Sequence, residues 1–198
     1  MSRIRSIAIA VGWSTAALVL GVGSAWWAVK KMSSGTQAIR AGAWQTSALA
    51  GSPDADMYTR ARIAISALLA LSRAETMYFI ATTDDAGNPL RSRCTYRVGG
   101  TPPKALWWSI TAYADDMFLF DAANAQYSLN GTTAKLDADG KFGFTTGSQA
   151  QTDSYWLPTP GDRGLVMTLR LYNPEPSLQS DPASLQGPTI VALGSCSS

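Results

Sequence analysis

The stretch Leu106-Trp107-Trp108-Ser109-Ile110-Thr111-Ala112-Tyr113 changes character at every second residue. Successive side chains of an extended strand point to opposite faces. One face therefore carries Leu106, Trp108, Ile110 and Ala112, and the other carries Trp107, Ser109, Thr111 and Tyr113. Residues 165–172 read the same way, with Leu165, Met167, Leu169 and Leu171 on one side and Val166, Thr168, Arg170 and Tyr172 on the other. Each strand thus has an apolar face for a core and a second face that mixes aromatic rings with hydrogen-bonding groups.

Outward from these two strands the period of two persists. Strands are expected at 77–83, 92–98, 117–120, 126–129, 134–136 and 141–145. Asp84-Asp85-Ala86-Gly87-Asn88-Pro89 reads as a turn, so 77–83 and 92–98 are expected to form a hairpin. Many short strands separated by Gly, Pro and Asp predict a mainly β fold, an antiparallel, jelly-roll-like β-sandwich of about seven to nine strands. One amphipathic helix is expected before it. Asp54 and Asp56 favour the positive end of that helix, and a stripe of Ile65, Leu68 and Leu69 would pack on the sheet. The tail from Asn173 contains Pro174, Pro176, Pro182 and Pro188 and is expected to lie extended across the surface.

At the other end, residues 7–29, from Ile7 to Val29, hold no charge. At about 1.5 Å rise per residue, a helix of this length covers the roughly 30 Å of a bilayer's hydrocarbon core. Arg3 and Arg5 precede it, Lys30 and Lys31 follow it, and Trp26 and Trp27 stand at its edge, where indoles favour the interface. Residues 1–31 read as a transmembrane anchor, 32–53 as a Gly/Ser/Ala-rich tether and 54–198 as the β-sandwich domain with its tail. A cleaved signal peptide is the alternative, but the run exceeds the usual apolar region of about 7–15 residues. Charges on the two flanks nearly balance. The short N-terminal side and long C-terminal domain favour a single-pass protein of the bacterial inner membrane with its domain in the periplasm.

Charge excludes one class of partner. No acidic residue precedes Asp54, whereas from Asp54 onward eleven basic residues face fourteen acidic ones. An acidic domain does not suit nucleic acid, whose phosphates need a basic surface. Histidine is absent, which removes the usual general base, the His-based nucleophilic triads and nearly every transition-metal site. No cofactor and no metal site is expected. Cys94 and Cys196 could form one disulfide in an oxidising compartment, or Cys94 could be a small buried hydrophobe.

Candidate ligand residues follow from the alternation. If the two long strands share a sheet, Trp107, Tyr113, Arg170 and Tyr172 could line a shallow groove suited to a sugar or an extended chain. The competing reading has that face covered by the helix, the tail or a neighbour, with Arg170 buried and paired. Asp137-Ala138-Asp139-Gly140 resembles a calcium loop only briefly, because the later ligands are missing, and an Asp-Gly hairpin turn is expected. Asp84-Asp85 and Asp115-Asp116 are likewise expected to be turns.

Pro102-Pro103, the 106–113 strand, Asn124, Tyr127-Ser128-Leu129, Trp156-Leu157-Pro158-Thr159-Pro160 and Thr168-Leu169-Arg170-Leu171-Tyr172-Asn173-Pro174 follow in order. This ordered set resembles the bacterial family catalogued as domain of unknown function 1214, over residues 58–174. The resemblance implies a β-sandwich, a frequent N-terminal membrane segment and no established activity. Gln126 departs from it, standing where an Arg is expected before the Tyr. Trp156 is expected in a rigid loop, plugging the end of the sandwich or lining a pocket there.

Two functional classes remain. One is a non-enzymatic, membrane-held module, an accessory subunit or a binder of envelope glycan or protein. The other is a carboxylate-dependent hydrolase acting on carbohydrate, with acids drawn from Asp115, Asp116, Asp121 and Asp153 and with Trp107 or Trp156 as a stacking platform.

Overall fold

The computed structural model describes residues 2–31, 38–47, 49, 51–52, 54–65, 71–151, 155–194 and 196. The elements run α1 (Ser2–Lys31), β1 (Ala38–Ala41), β2 (Trp44–Ser47), α2 (Met57–Ile65), β3 (Thr76–Ala81), β4 (Tyr96–Gly100), β5 (Ala105–Ala114), β6 (Ser128–Asn130) and β7 (Phe142–Gly147). Then come β8 (Tyr155–Pro158), β9 (Leu165–Pro174), α3 (Pro176–Ser180), a 3-10 turn (Pro182–Ser184) and β10 (Thr189–Ala192). They form two sheets, one of six strands in the order β1-β2-β3-β9-β5-β6 and one of four in the order β10-β4-β7-β8.

The centre of the large sheet is the pair the alternation singled out. β5 and β9 are antiparallel over their whole length, with Trp107 opposite Tyr172, Ser109 opposite Arg170 and Thr111 opposite Thr168. Their apolar faces are buried as expected at Trp108, Ile110, Ala112, Leu165, Met167, Leu169 and Leu171. Leu106 is exposed instead, because it lies at the start of β5. The small sheet closes the core from the other side with Tyr96, Val98, Phe142, Phe144, Leu157 and Ile190. The two layers meet where the rings of Trp108 and Phe142 stand 4.5 Å apart. Each fully buried Leu or Phe contributes about 1.5–3 kcal/mol, so this inter-sheet layer is what holds the domain together.

Several expectations are corrected. The turn at 84–89 exists, since the Asp84 N–H donates to the Asn88 carbonyl at 2.9 Å. The hairpin does not. β3 pairs with β2 and β9, whereas β4 pairs with β7 and β10, so the chain changes sheet after Leu90. Within the expected tether, residues 38–47 form β1 and β2, which extend the large sheet beside β3. Trp44 anchors them, 1% exposed. Its indole N–H donates to the Pro188 carbonyl at 2.7 Å. The expected strands 117–120 and 134–136 shrink to isolated bridges, Leu119 to Tyr113 and Leu136 to Phe142.

The segment expected as a rigid loop around Trp156 supplies β8, parallel to β7. The tail supplies β10 at the edge of the small sheet. Asp85 receives it there, accepting from the Ile190 N–H at 2.9 Å while its own N–H donates to the Ile190 carbonyl at 3.0 Å. Cys94 and Cys196 form a disulfide across 102 residues, which ties the end of the tail to the segment leading into β4.

Helix α2 begins where its acids said. Asp56 caps it, accepting from the Tyr58 and Thr59 N–H groups at 2.9 and 3.0 Å. The side chains of its expected stripe, Ile65, Leu68 and Leu69, lie outside the described residues. Ahead of the domain, α1 contains one stretch, Ile4–Val29, that is long and apolar enough to cross a membrane, and none of it is buried.

Candidate functional site

The outward face of the large sheet gathers four of the five expected ligand residues. β5 presents Trp107, Ser109, Thr111 and Tyr113, and β9 presents Tyr172, Arg170, Thr168 and Val166 beside them. β3 continues the rows with Thr76 opposite Tyr172, Tyr78 opposite Arg170 and Ile80 opposite Thr168. The face is built by register alone. A shift of one residue in either long strand would turn these side chains into the core.

Arg170 organises the group. One guanidinium nitrogen donates to Thr111 Oγ1 at 3.2 Å and the other to the Tyr113 hydroxyl at 2.8 Å. Its carbon lies 5.5 Å from the centre of the Tyr113 ring, a cation–π distance. At the other end of the face, the rings of Trp107 and Tyr172 tilt against one another at 5.2 Å, and the Trp107 indole N–H donates to Thr132 Oγ1 at 3.1 Å. Trp107 remains 37% exposed.

Neither sequence reading describes Arg170 fully. It is half-buried rather than fully buried, and hydroxyl groups hold it, with no carboxylate ion-paired to it among the described residues. Toward the middle of the sheet the same face is closed. Ser109, Thr111 and Thr168 are buried there, and among the described residues the Oγ1 atom of Thr168 has no hydrogen-bond partner. Burial pushes the Tyr78 phenol above its ordinary value, the neighbouring Tyr172 adds to this, and Arg170 and the Leu71 backbone pull the other way. Tyr78 was legible in the alternation of β3, but only pairing with β9 could place it against Arg170.

Trp156 is not part of this group. It stands on β8 in the small sheet, opposite Thr145. Its indole N–H donates to the Gly147 carbonyl at 3.1 Å, and the Asn124 amide donates to its carbonyl at 3.3 Å. The Asn124 side chain also donates to Gln126 Oε1 at 3.3 Å, so the departing residue Gln126 serves a local polar turn.

Asp115 and Asp116 both face Arg163, at 3.6 and 2.5 Å. The Phe118 N–H, followed by Arg163, holds the Asp116 carboxyl below the ordinary carboxylate range, so it is ionised at neutral pH. A general acid needs the opposite shift. Asp121 is exposed, and Asp153 lies outside the described residues. Asp137 is a turn residue whose Oδ1 accepts from the Asp139 and Lys141 N–H groups at 2.9 Å each. Among the described residues no group of three or more metal-ligating side chains comes together.

A search of curated proteins finds no match. The VPA0106 protein of Vibrio parahaemolyticus has a similar fold, with a TM-score of 0.59 and 23% identity over 72% of this chain and 37% of that one. An uncharacterized protein from Burkholderia cenocepacia overlaps more loosely, with a TM-score of 0.40 and 15% identity over 60% of this chain and 29% of that one. The chain therefore spans about a third of the length of these solved structures. The family model described as protein of unknown function DUF1214 matches residues 75–176, from the start of β3 to the end of β9. That match covers more than half of the sequence, and the protein belongs to this family.

Proposed function

We propose that this protein is a non-enzymatic module held at the bacterial inner membrane by α1, with its β domain in the periplasm, and that it serves as an accessory subunit or binder of envelope glycan or protein. The observation that carries this reading is the helical stretch Ile4–Val29, long and apolar enough to cross a membrane and with none of it buried in the domain. An unburied helix of that composition in water would be costly, and a bilayer removes the cost. The Cys94–Cys196 disulfide supports the side of the membrane, because such bonds persist in oxidising compartments.

The polar-aromatic face supports binding over catalysis. Trp107, Tyr172, Arg170 and Tyr113 form a continuous strip of rings and one guanidinium, suited to a sugar ring or an extended chain. Asp116, held ionised beside Arg163, gives no support to carboxylate-dependent hydrolysis. The test is affinity isolation of the full chain from native membranes in mild detergent, beside Trp107→Ala. Reproducible co-purification of a membrane protein or glycan with the native chain, lost in the variant, is expected. A clean monomer from both, or turnover of an envelope glycan by the native chain, overturns the proposal.

A further inference from the structure

The small sheet carries a second candidate surface, on the face turned away from the core. Phe142 and Phe144 point inward, so Gly143 between them points out, next to Gly99 on β4. With Arg97, Gly100, Lys135, Lys141, Gly187 and Thr189 they line an open groove of about 610 Å³. Three of its four charged residues are cations, Arg97, Lys135 and Lys141, in a domain whose overall balance is acidic. None of the three has an ion-pair partner among the described residues. The fourth, Asp137, has one carboxylate oxygen engaged by two backbone N–H groups of its own turn.

The two glycines of the floor differ. A side chain at Gly99 would place Cβ 2.5 Å from the Phe142 carbonyl oxygen, so the fold itself requires that glycine. A Cβ at Gly143 would meet nothing within 4 Å. Packing therefore does not demand glycine at 143, although its absence of a side chain keeps the floor of the groove flat. A valine there would suit a strand and would stand in the groove.

We infer that this groove binds a phosphate-bearing ligand, laid on the backbone of Gly143 and held by Arg97, Lys135 and Lys141. Arg97 supplies a planar fork for two phosphate oxygens, and the two lysines supply mobile point charges along the rim. The ligand is either a soluble oligophosphate or the headgroup of an anionic lipid, which share this chemistry. The site lies on the opposite sheet from the strip around Arg170, so its failure leaves that proposal untouched.

The test uses the full chain in non-ionic detergent, titrated calorimetrically with inorganic tripolyphosphate and separately with dihexanoyl phosphatidylglycerol below its micelle concentration. Saturable binding of at least one probe is expected, weakening as salt rises. Arg97→Gln combined with Lys141→Gln should weaken it by about tenfold or more, as charge-assisted hydrogen bonds contribute. Gly143→Val should abolish most of the binding with the thermal midpoint unchanged or raised. Binding of the first probe alone identifies a free phosphate ligand, and binding of the second alone a lipid headgroup. Absence of binding by both, or affinity unchanged in Gly143→Val and in the charge variant, overturns the inference.

Discussion

Arg170 concentrates the question of what the large sheet's outer face is for. Its two donors meet two hydroxyls in a fixed fork, Thr111 on one side and Tyr113 on the other. Lysine keeps the charge but lacks the planar fork whose two nitrogens reach these two hydroxyls separately. Arg170→Lys is therefore expected to lower stability by about 1–3 kcal/mol, leaving Thr111 Oγ1 without its donor in a buried position. A melting curve checks it, and an unchanged midpoint with lost partner recovery would assign Arg170 wholly to binding. Asp162 is the corresponding case at the surface. It holds Arg91 at 2.6 Å and Arg93 at 3.0 Å, and the hydrogen bond from Arg91 is the main reason its carboxyl lies below the ordinary range. A native value below the unfolded one means that the pair's contribution is present above about pH 4 and is lost as pH falls through the lowered native value. Asp162→Asn should accordingly flatten the acid limb of midpoint against pH. Because this group is exposed, the effect is one of shape, and a variant with the native acid limb would contradict it.

At the scale of elements, the tail matters more than its prolines suggested. β10 joins the small sheet, Asp85 grips Ile190, and Trp44 of β2 grips Pro188 from the large sheet. Trp44→Ala is expected to cost about 3–5 kcal/mol, the usual loss for a large buried aromatic. It should release β1, β2 and β10 together, seen as simultaneous loss of amide-exchange protection in all three. Protection lost in β2 alone would show that the tail does not depend on this contact. The disulfide acts on the same element from its far end, closing a loop of 102 residues between Cys94 and Cys196. Replacing both cysteines by Ser is expected to cost about 2–5 kcal/mol, measured by denaturant midpoint. The changes of sheet were not readable one strand at a time. The 77–83 and 92–98 stretches both have the period of a strand, but which partner each takes depends on distant segments. β9 outcompeted the near neighbour because it offers six paired residues against β3 and an apolar face in register.

For the whole molecule, the proposed anchor and the proposed compartment make separate demands. Deleting residues 1–31 should move the protein from the membrane fraction to the soluble one after alkaline washing. Retention at the membrane without them would sink the idea of α1 as the anchor. In the native setting, full-length chain trapped with a membrane-permeant maleimide should show both cysteines unreactive until reduced. Rapid alkylation of Cys94 and Cys196 without reductant would place the domain in a reducing compartment.

Some of this protein was determined by local sequence, because it rests on short-range physics. The uncharged run 7–29 makes an apolar helix whatever follows it, and the alternation in 106–113 and 165–172 assigns each side chain to a face by strand geometry alone. Asp56 caps α2 and Asp137 closes its turn through bonds to N–H groups two to four residues away. Other features belong to the tertiary structure. The conversion of 38–47 from apparent tether to two strands needed β3 as a template and a core to receive Trp44. The separation of Trp156 from Trp107, and the meeting of Tyr78 with Arg170, depend on which strands share a sheet. Strand pairing is a contest among all edges of the chain, won by the register that buries the most apolar surface while satisfying backbone hydrogen bonds, and no single stretch contains that comparison.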